Sequence, residues 1–201
     1  MITQQRDGIR AWPVVPDGLG RVLDVGCGNG DALDRAGSGF VAVGIDIDHD
    51  ALTLGSALFP EHRLCRATAE ALPFKDGSFD AVLSRVALPL MNIPPVLAEI
   101  ARVVRRGGEV WLAFHRFSYV RSELRKSLQA RNLARTVFLA YVTVNGLVFH
   151  LLGRTFPFPL NRRYRESFQT ERGVRRALAR AGFDDVRVVP GAPLIATARR
   201  R

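Results

Sequence analysis

Cysteine and histidine are scarce in this sequence. Its 201 residues include two cysteines, Cys27 and Cys65, and four histidines. Two cysteines cannot build a disulfide framework, and none of these residues stands at a spacing typical of metal ligands. A disulfide-stapled fold and a metal centre are therefore not expected, and unpaired thiols favour the reducing cytoplasm.

Long apolar runs are lacking as well. Residues 1–17 carry charges and two prolines but no apolar core of the signal-peptide type. The most apolar run, residues 136–152, is interrupted by Asn145 and Gly146 and falls short of the roughly 20 residues that a membrane-spanning helix needs. We therefore expect no transmembrane segment, while an interfacial helix or a lid helix stays open.

Positive charge, by contrast, is abundant. The net charge is +10, and the arginines concentrate after residue 101. Such a balance favours an anionic partner, whether nucleic acid, a membrane surface or an acidic substrate, but a solvated basic face explains it equally well. Apolar residues make up 47% of the chain, which is enough for a full hydrophobic core. We expect a single domain over residues 1–201.

Short apolar runs alternate with helical patterns along most of the chain. Seven of these runs predict strands, at residues 21–25, 40–45, 62–66, 79–84, 110–114, 186–189 and 194–198. Alternating strands and helices are typical of a parallel sheet that is covered by helices on both faces. The sequence therefore predicts an α/β fold with a doubly wound, mostly parallel seven-stranded sheet.

The alternation stops after the fifth predicted strand. Residues 116–165 are basic, rich in aromatic residues and helical in pattern. About fifty residues are few for an independent core, so we interpret them as a helical insertion. Because the insertion begins at the ligand-binding edge of the sheet, we expect it to act as a lid or acceptor cap. A dimer contact, a membrane contact and plain core packing are the alternatives.

The segment that follows the first predicted strand carries the clearest functional signal. Gly26, Gly28 and Gly30 alternate with other residues after Asp24, which lets the backbone pass close to a ligand. The helix that follows offers unpaired N–H groups to a negatively charged ligand group. A dinucleotide fingerprint would need a further glycine where Asp31 stands, so the G-x-G-x-x-G pattern fails.

An acidic residue ends the second predicted strand. Asp46 would lie beside the glycine loop in a doubly wound sheet, where its carboxylate can accept both hydroxyls of a ribose. A 2′-phosphate would be repelled there, which disfavours an NADP-like ligand. Asp46 could instead cap the next helix, but Asp48 is better placed to do so.

In these motifs the sequence resembles the class I S-adenosylmethionine-dependent methyltransferases, and in particular their type 11 group. The resemblance continues in the same order through Ala69-Glu70-Ala71-Leu72-Pro73-Phe74, Asp76-Gly77-Ser78-Phe79-Asp80, residues 98–108 and Ala181-Gly182-Phe183. It implies the Rossmann-like methyltransferase fold, methyl transfer as the activity and S-adenosylmethionine as the cofactor.

The resemblance also implies a set of cofactor-binding residues. Asp24, Gly26, Gly28 and Gly30 would hold the methionine end, Asp46 the ribose, and Ile47 and Ala69 the adenine. The set is completed by Cys27, Thr68, Glu70 and Ser84. Thr68 stands where the family often has an acid, so the adenine amino group would have a weaker acceptor.

The acceptor is less defined. His115, after the fifth predicted strand, is the best-placed candidate for a general base, although it could equally be a capping or surface histidine. The N-P-P-[YF] signature of amino-methylating nucleic-acid enzymes is absent after the fourth strand, where Ser84-Arg85-Val86-Ala87 stands. We therefore expect a small, hydrophobic molecule or a lipid as acceptor, with peripheral membrane contact and a homodimer left open. An RNA methyltransferase and a non-catalytic S-adenosylmethionine-binding protein are the alternatives.

Overall fold

The computed structural model describes residues 1–7, 10–162, 164–191 and 193–201. The strands of this part of the chain are β1 (Thr3–Asp7), β2 (Arg10–Val14), β3 (Arg21–Val25), β4 (Val41–Asp46), β5 (Arg63–Arg66), β6 (Phe79–Arg85), β7 (Val104–Phe114), β8 (Phe183–Val189) and β9 (Leu194–Arg200). Its α-helices are α1 (Asp31–Arg35), α2 (His49–Leu58), α3 (Ile93–Val103), α4 (Phe117–Gln129), α5 (Leu133–Leu152) and α6 (Glu171–Arg180).

Seven strands form one sheet in the order β5-β4-β3-β6-β7-β9-β8. The five strands from β5 to β7 run parallel, and β9 is antiparallel to both of its neighbours. The mostly parallel seven-stranded sheet expected from the sequence is thereby confirmed. The strand order reverses between β3 and β6, and ligands of such sheets bind at the carboxyl ends beside that switch point.

The central strands are apolar because both of their faces are covered. Side chains of β3 alternate between two cores: Leu23 and Val25 pack into one of them, and Val22 packs into the other. Helices α3 and α6 cover the first core with Ile100 and Leu178. Burial on both sides is what makes the strand recognisable as a continuous apolar run.

The second core has a cover that the sequence pattern did not predict. Strands β1 and β2 form a separate antiparallel hairpin, and Ala11 and Val15 of this region pack against the sheet. The Val15 amide donates to the Ala36 carbonyl of the α1 region at 2.8 Å. Pro13 and the charged residues of this segment hide its strand character, and proline is tolerated because the ribbon has no central strand.

A second difference concerns the start of β7. The sequence predicts that Gly107 and Gly108 end the preceding helix and that the strand begins at residue 110. Instead, α3 ends at Val103 and the strand begins at Val104. The pairing of β7 with β6 is irregular between Phe79 and Ala81, so the extended backbone can absorb the two glycines.

The insertion consists of α4, α5 and a segment after α5 in which residues 153–162, 164 and 165 form no helix or strand. Helix α5 has 20 residues, and by length and composition it could cross a membrane. About a third of its most apolar stretch is buried in the fold. It is longer than the apolar run because Asn132 caps it, accepting a hydrogen bond from the Arg135 amide at 3.0 Å. Asn145 and Gly146 do not interrupt it, because their side of the helix packs into the protein.

Candidate functional site

The glycine loop connects β3 to α1 and is held against the end of β4. The amides of Gly26 and Cys27 both donate to the Ile45 carbonyl, at 2.9 and 3.0 Å. Gly26 has a φ of +75°, and a Cβ added to it would lie 2.3 Å from the Cβ of Ala87. Only glycine fits this crossing point, so the loop passes tightly over the end of β6.

Gly28 lies at the outer part of this loop. Its φ is +54°, and a Cβ added there would have no neighbour within 4 Å. Its amide donates to Oδ2 of Asp46 at 2.8 Å. The backbone at Gly28 thus borders open space, as a loop that receives a ligand must.

Asp46 and Asp48 have the separate roles that their positions suggest. Asp48 caps α2, accepting from the amides of Asp50 and Ala51 at 3.0 and 3.1 Å. Asp46 accepts from Gly28 with one oxygen and from the Asp48 amide with the other, at 3.0 Å. The helix-capping role of Asp48 is confirmed, and the Asp46 carboxylate is held at the end of β4, beside the loop.

Asp24 is the most unusual group at this edge of the sheet. It is 1% exposed, and neither carboxylate oxygen has a hydrogen-bond partner among the described residues. Burial, followed by the charge of Asp46, raises the pKa of Asp24 from 3.8 to about 7, while Arg85 opposes this change. A buried carboxylate without a partner is costly, so the site favours a cationic donor that would pair with it.

A cleft of about 290 Å³ opens beside the loop, at the carboxyl ends of the strands. The sequence-predicted site residues that line it are Gly26, Asp46, Ile47, Thr68, Ala69 and Glu70. The Ile47 side chain is 68% exposed there, although it follows a buried strand directly. An apolar side chain held open beside a carboxylate is suited to a ligand with an aromatic part and a hydroxylated part.

The loop after β5 supplies a small polar network to the cleft. The Thr68 hydroxyl donates to a Glu70 carboxylate oxygen at 2.5 Å. The other Glu70 oxygen accepts from the Asn92 amide at 3.4 Å. Ala69 between them is buried, which fixes the loop's backbone at the cleft wall.

Cys27 and Ser84 support the loop, and their side chains are outside the cleft-lining set. The buried Ser84 hydroxyl donates to the Val25 carbonyl at 2.7 Å. A Cβ at Gly44 would lie 2.7 Å from the Cys27 Sγ, and burial raises the pKa of the Cys27 thiol. These contacts hold the strand ends in place, and a direct contact of Cys27 or Ser84 with a cofactor stays a prediction.

His115 follows β7, outside the described set of cleft-lining residues. Its Nδ1 lies 3.8 Å from a Glu166 carboxylate oxygen, and its ring stacks on Tyr119 with centroids 5.1 Å apart. Burial lowers the pKa of His115 and raises that of Glu166, so both neutral forms are favoured. Its role as a general base stays a prediction.

Other cleft residues escaped the sequence analysis. Leu90, Met91 and Asn92 come from the turn after β6, and Arg162 and Arg165 come from the insertion. The Arg165 guanidinium donates to the carbonyl and hydroxyl of Thr155 at 2.7 and 3.1 Å. The basic composition of the insertion is the signal that could have directed attention to these arginines, but no spacing in the sequence connects them to the loop.

The profile of a family described as "Methyltransferase domain" matches residues 23–112. That segment runs from β3 through the glycine loop, Asp46 and the Thr68 loop into β7. Residues 23–112 are a methyltransferase domain. The resemblance noted in the sequence is thereby confirmed for this segment.

Curated relatives match about half of the chain. A phosphatidylethanolamine N-methyltransferase of Cereibacter sphaeroides is 37% identical over 106 residues, 48% of this chain and 51% of that protein. A demethylmenaquinone methyltransferase of Renibacterium salmoninarum is 37% identical over 112 residues, 52% of this chain and 47% of that protein. The chain thus spans about half the length of the curated relatives it matches.

Solved structures extend the likeness of the fold beyond the methyltransferase domain. A SAM-dependent methyltransferase of Methanosarcina mazei has a TM-score of 0.63 at 20% identity, covering 92% of this chain and 94% of that one. One of Mesorhizobium loti has a TM-score of 0.62 at 18% identity, with 92% and 94% covered. At these identities the likeness confirms the Rossmann-like methyltransferase fold.

Proposed function

We propose that this chain binds S-adenosylmethionine in the cleft beside its glycine loop and transfers the methyl group to a small, hydrophobic molecule or a lipid. The observation that carries this proposal is the buried, unpartnered carboxylate of Asp24 at the end of the methyltransferase domain's first strand. S-adenosylmethionine is the cofactor named for the solved structures that share this fold.

The residues present fit this cofactor. The α-amino group of its methionine part would supply the cationic hydrogen-bond donor that is missing beside Asp24. Pairing of this group with Asp24 would favour the ionised carboxylate. The open space at Gly28 admits a ligand against the backbone. Asp46 would accept ribose hydroxyls, and the exposed Ile47 side chain would pack on the adenine.

When bound, the sulfonium of the cofactor supplies an already activated methyl group. The chain then needs to orient the acceptor and exclude water, and it needs a base only for an acceptor that must lose a proton. Leu90 and Met91 provide apolar walls to the cleft. Arg162 at its edge can attract an anionic part of the acceptor.

The insertion is proposed to cap the acceptor side. Its irregular segment reaches the cleft at Arg162 and Arg165. The Thr155 hydroxyl donates to the Asn92 side chain at 3.4 Å, and just beyond the insertion the Ser167 amide donates to the Pro89 carbonyl at 3.1 Å. These contacts join the insertion to the turn after β6, which supports a lid that is continuous with the cleft wall.

The acceptor class is supported by the apolar wall and by the names of the relatives. Phosphatidylethanolamine and demethylmenaquinone appear in the names of two of them, and both are lipids. The basic charge keeps an RNA acceptor as the second candidate, and a protein that binds the cofactor without transferring its methyl group is the third.

The test is incubation with S-adenosylmethionine labelled in the methyl group, in the presence of a cell extract. The extract is then separated into lipid, water-soluble and RNA fractions. We expect label in the lipid or hydrophobic small-molecule fraction, and less of it with the Asp24→Asn variant at the same limited cofactor concentration. Label confined to RNA would favour the second candidate, and no label despite cofactor binding would favour the third.

The edge arginine provides a finer test. Arg162→Gln should raise KM for an anionic acceptor while cofactor affinity is retained, because Arg162 lies at the edge of the cleft. Arg106→Gln, at another exposed arginine outside the cleft-lining set, is the matched control. An equal change of KM in both variants would show that Arg162 does not bind the acceptor.

A further inference from the structure

Helix α5 exposes a continuous apolar stripe. Its members stand at alternating spacings of four and three residues: Leu133, Val137, Ala140, Val144, Leu147 and Leu151. This spacing keeps all six on one side of a helix over its full length. The opposite side is buried in the fold through residues such as Val142 and Phe149. The helix is thus attached to the protein by one face and unpartnered on the other.

The borders of this α5 stripe are also uncharged. Residues 136–153 contain no Asp, Glu, Lys or Arg. The hydroxyls of Thr136 and Thr143 beside the stripe donate to the carbonyls of Asn132 and Leu139, both at 2.9 Å. Their polar groups are therefore satisfied within the helix, and the stripe can leave water without stranding them.

Basic residues flank the α5 stripe on both sides in the sequence. The insertion, residues 116–165, has ten Lys and Arg residues and one acid, so it carries +9 of the chain's net +10. The single acid, Glu123, is paired with Lys126 at 2.9 Å and with Arg135. Arg121, Arg125 and Arg131 are exposed and have no side-chain partner in the part of the chain that the structure describes.

We propose that α5 docks on the surface of an anionic lipid bilayer through the α5 stripe. A long apolar face with basic residues around it has the composition of a helix that lies in the membrane interface, where apolar side chains enter the acyl boundary and cations meet lipid phosphates. The α5 stripe lies outside the set of cleft-lining residues, and its docking does not depend on the identity of the acceptor.

Three other arrangements fit less well. Pairing with a second copy as a coiled coil would use charged residues beside the seam, and the borders have none. RNA would leave the apolar stripe in water. A membrane-spanning α5 would have to abandon the hydrogen bonds of its buried face, where Asn145 donates to the carbonyls of Phe156 and Glu166 at 3.1 and 2.8 Å.

The buried face also connects the docking surface to the cleft. The Phe156 amide donates to the Asn145 side chain at 3.0 Å, and Tyr141 donates to the Phe156 carbonyl at 2.7 Å. These bonds hold the segment that carries Arg162 and Arg165. A docked α5 is therefore tied directly to the cleft edge where a membrane-derived acceptor would enter.

Flotation with lipid vesicles tests the proposal. The intact protein is mixed with vesicles of phosphatidylcholine alone or of phosphatidylcholine with phosphatidylglycerol. We expect flotation with the anionic vesicles, weakened by high salt. Leu147→Glu/Leu151→Glu should lower the partition coefficient on the order of tenfold or more, because two charges would enter the acyl boundary.

The matched control is Leu54→Glu/Leu58→Glu, on α2. These leucines have the same i, i+4 spacing and exposures of 54% and 53%, against 50% and 66% for the stripe pair. The control should bind vesicles like the unchanged chain. Circular dichroism shows whether each variant is folded. If Leu147→Glu/Leu151→Glu unfolds, the single variant Val137→Glu is used in its place.

Several outcomes would overturn the proposal. The proposal is wrong if the intact protein floats with neither vesicle type. It is also wrong if the stripe variant and the α2 control variant lose vesicle binding equally. Sedimentation analysis that shows a dimer, dissociated by the stripe variant and without vesicle binding, would make a second copy the occupant. Salt-sensitive binding of an RNA homopolymer without vesicle binding makes RNA the partner. None of these results bears on cofactor binding or methyl transfer in solution.

Discussion

Replacing Asp24 by asparagine should separate stability from cofactor binding. In the ligand-free protein the neutral carboxyl is favoured, because burial and the charge of Asp46 raise the pKa of Asp24 from 3.8 to about 7. An acidic group whose pKa is higher in the folded state makes its full contribution to the stability of the fold below pH 4. That contribution is lost as the pH rises through 7. Each tenfold change in proton affinity corresponds to about 1.4 kcal/mol, so the ionised carboxylate lowers the stability by up to about 4 kcal/mol.

The asparagine variant has nearly the same shape and no titration. We therefore expect ligand-free Asp24→Asn to be more stable than the unchanged chain at pH 8, by about 1–4 kcal/mol, by a smaller margin at pH 5, and of similar stability only below pH 4. Its affinity for S-adenosylmethionine should fall by about 1.5–3 kcal/mol, because a charge-assisted hydrogen bond to the ammonium is lost. The same change is thus expected to stabilise the fold and to weaken the function.

Urea denaturation at pH 5 and pH 8, together with calorimetric titration of the cofactor, measures both effects. Asp80→Asn is the control with the opposite sign: the hydrogen bond from Arg105 lowers the pKa of Asp80, so its stabilising effect is present above pH 4 and is lost in acid. That variant should be destabilised equally at both pH values. Identical pH dependence of Asp24→Asn and the unchanged chain would refute the reasoning.

Four further predictions concern the cleft and its lid. Cofactor affinity of the unchanged chain should fall as the pH drops below about 7, since binding then requires Asp24 to release a proton; calorimetry at several pH values checks this. Gly28→Val should abolish cofactor binding, because the side chain fills open space and strains a positive φ; unchanged affinity in calorimetry would remove the loop from the site. Asp46→Asn should weaken binding by about 1–3 kcal/mol while the melting temperature stays close to that of the unchanged chain, since Asp48 still caps α2. Asn145→Leu should cost about 1–3 kcal/mol in urea denaturation, because the Phe156 amide loses its acceptor, and normal hydrogen-exchange protection of residues 155–167 in this variant would contradict the anchoring role.

Local chemistry made part of the site predictable from the sequence. The three glycines, Asp46 and Asp48 lie on consecutive strand, turn and helix segments, so their spacing along the chain already determines which of them can meet. A central parallel strand that is buried on both faces must be apolar, and for this reason β3, β4, β6 and the second half of β7 could be recognised as runs. The methyltransferase version of this fold was implied by the resemblance of the glycine loop and the later motifs to that family.

Contacts between distant segments were not predictable in this way. Arg162 and Arg165 reach a cleft whose other walls lie about seventy or more positions earlier in the chain. The isolation of Asp24 depends on everything that packs around it, and the hairpin of β1 and β2 is recognisable only by the core it covers. No periodicity in the sequence records which surface a loop or ribbon will contact.

Helix α5 shows the division most clearly. Its sequence is apolar on nearly every side, and such a pattern specifies a helix without specifying its orientation. Only tertiary packing decides that Asn145 faces inward, where its amide is satisfied, and that Leu147 and Leu151 face outward. The sequence by itself determined the strands of the seven-stranded sheet, the loop and the presence of the helix, because these follow from neighbours along the chain. The tertiary structure decided the lone carboxylate and the exposed stripe, because both depend on which faces are covered.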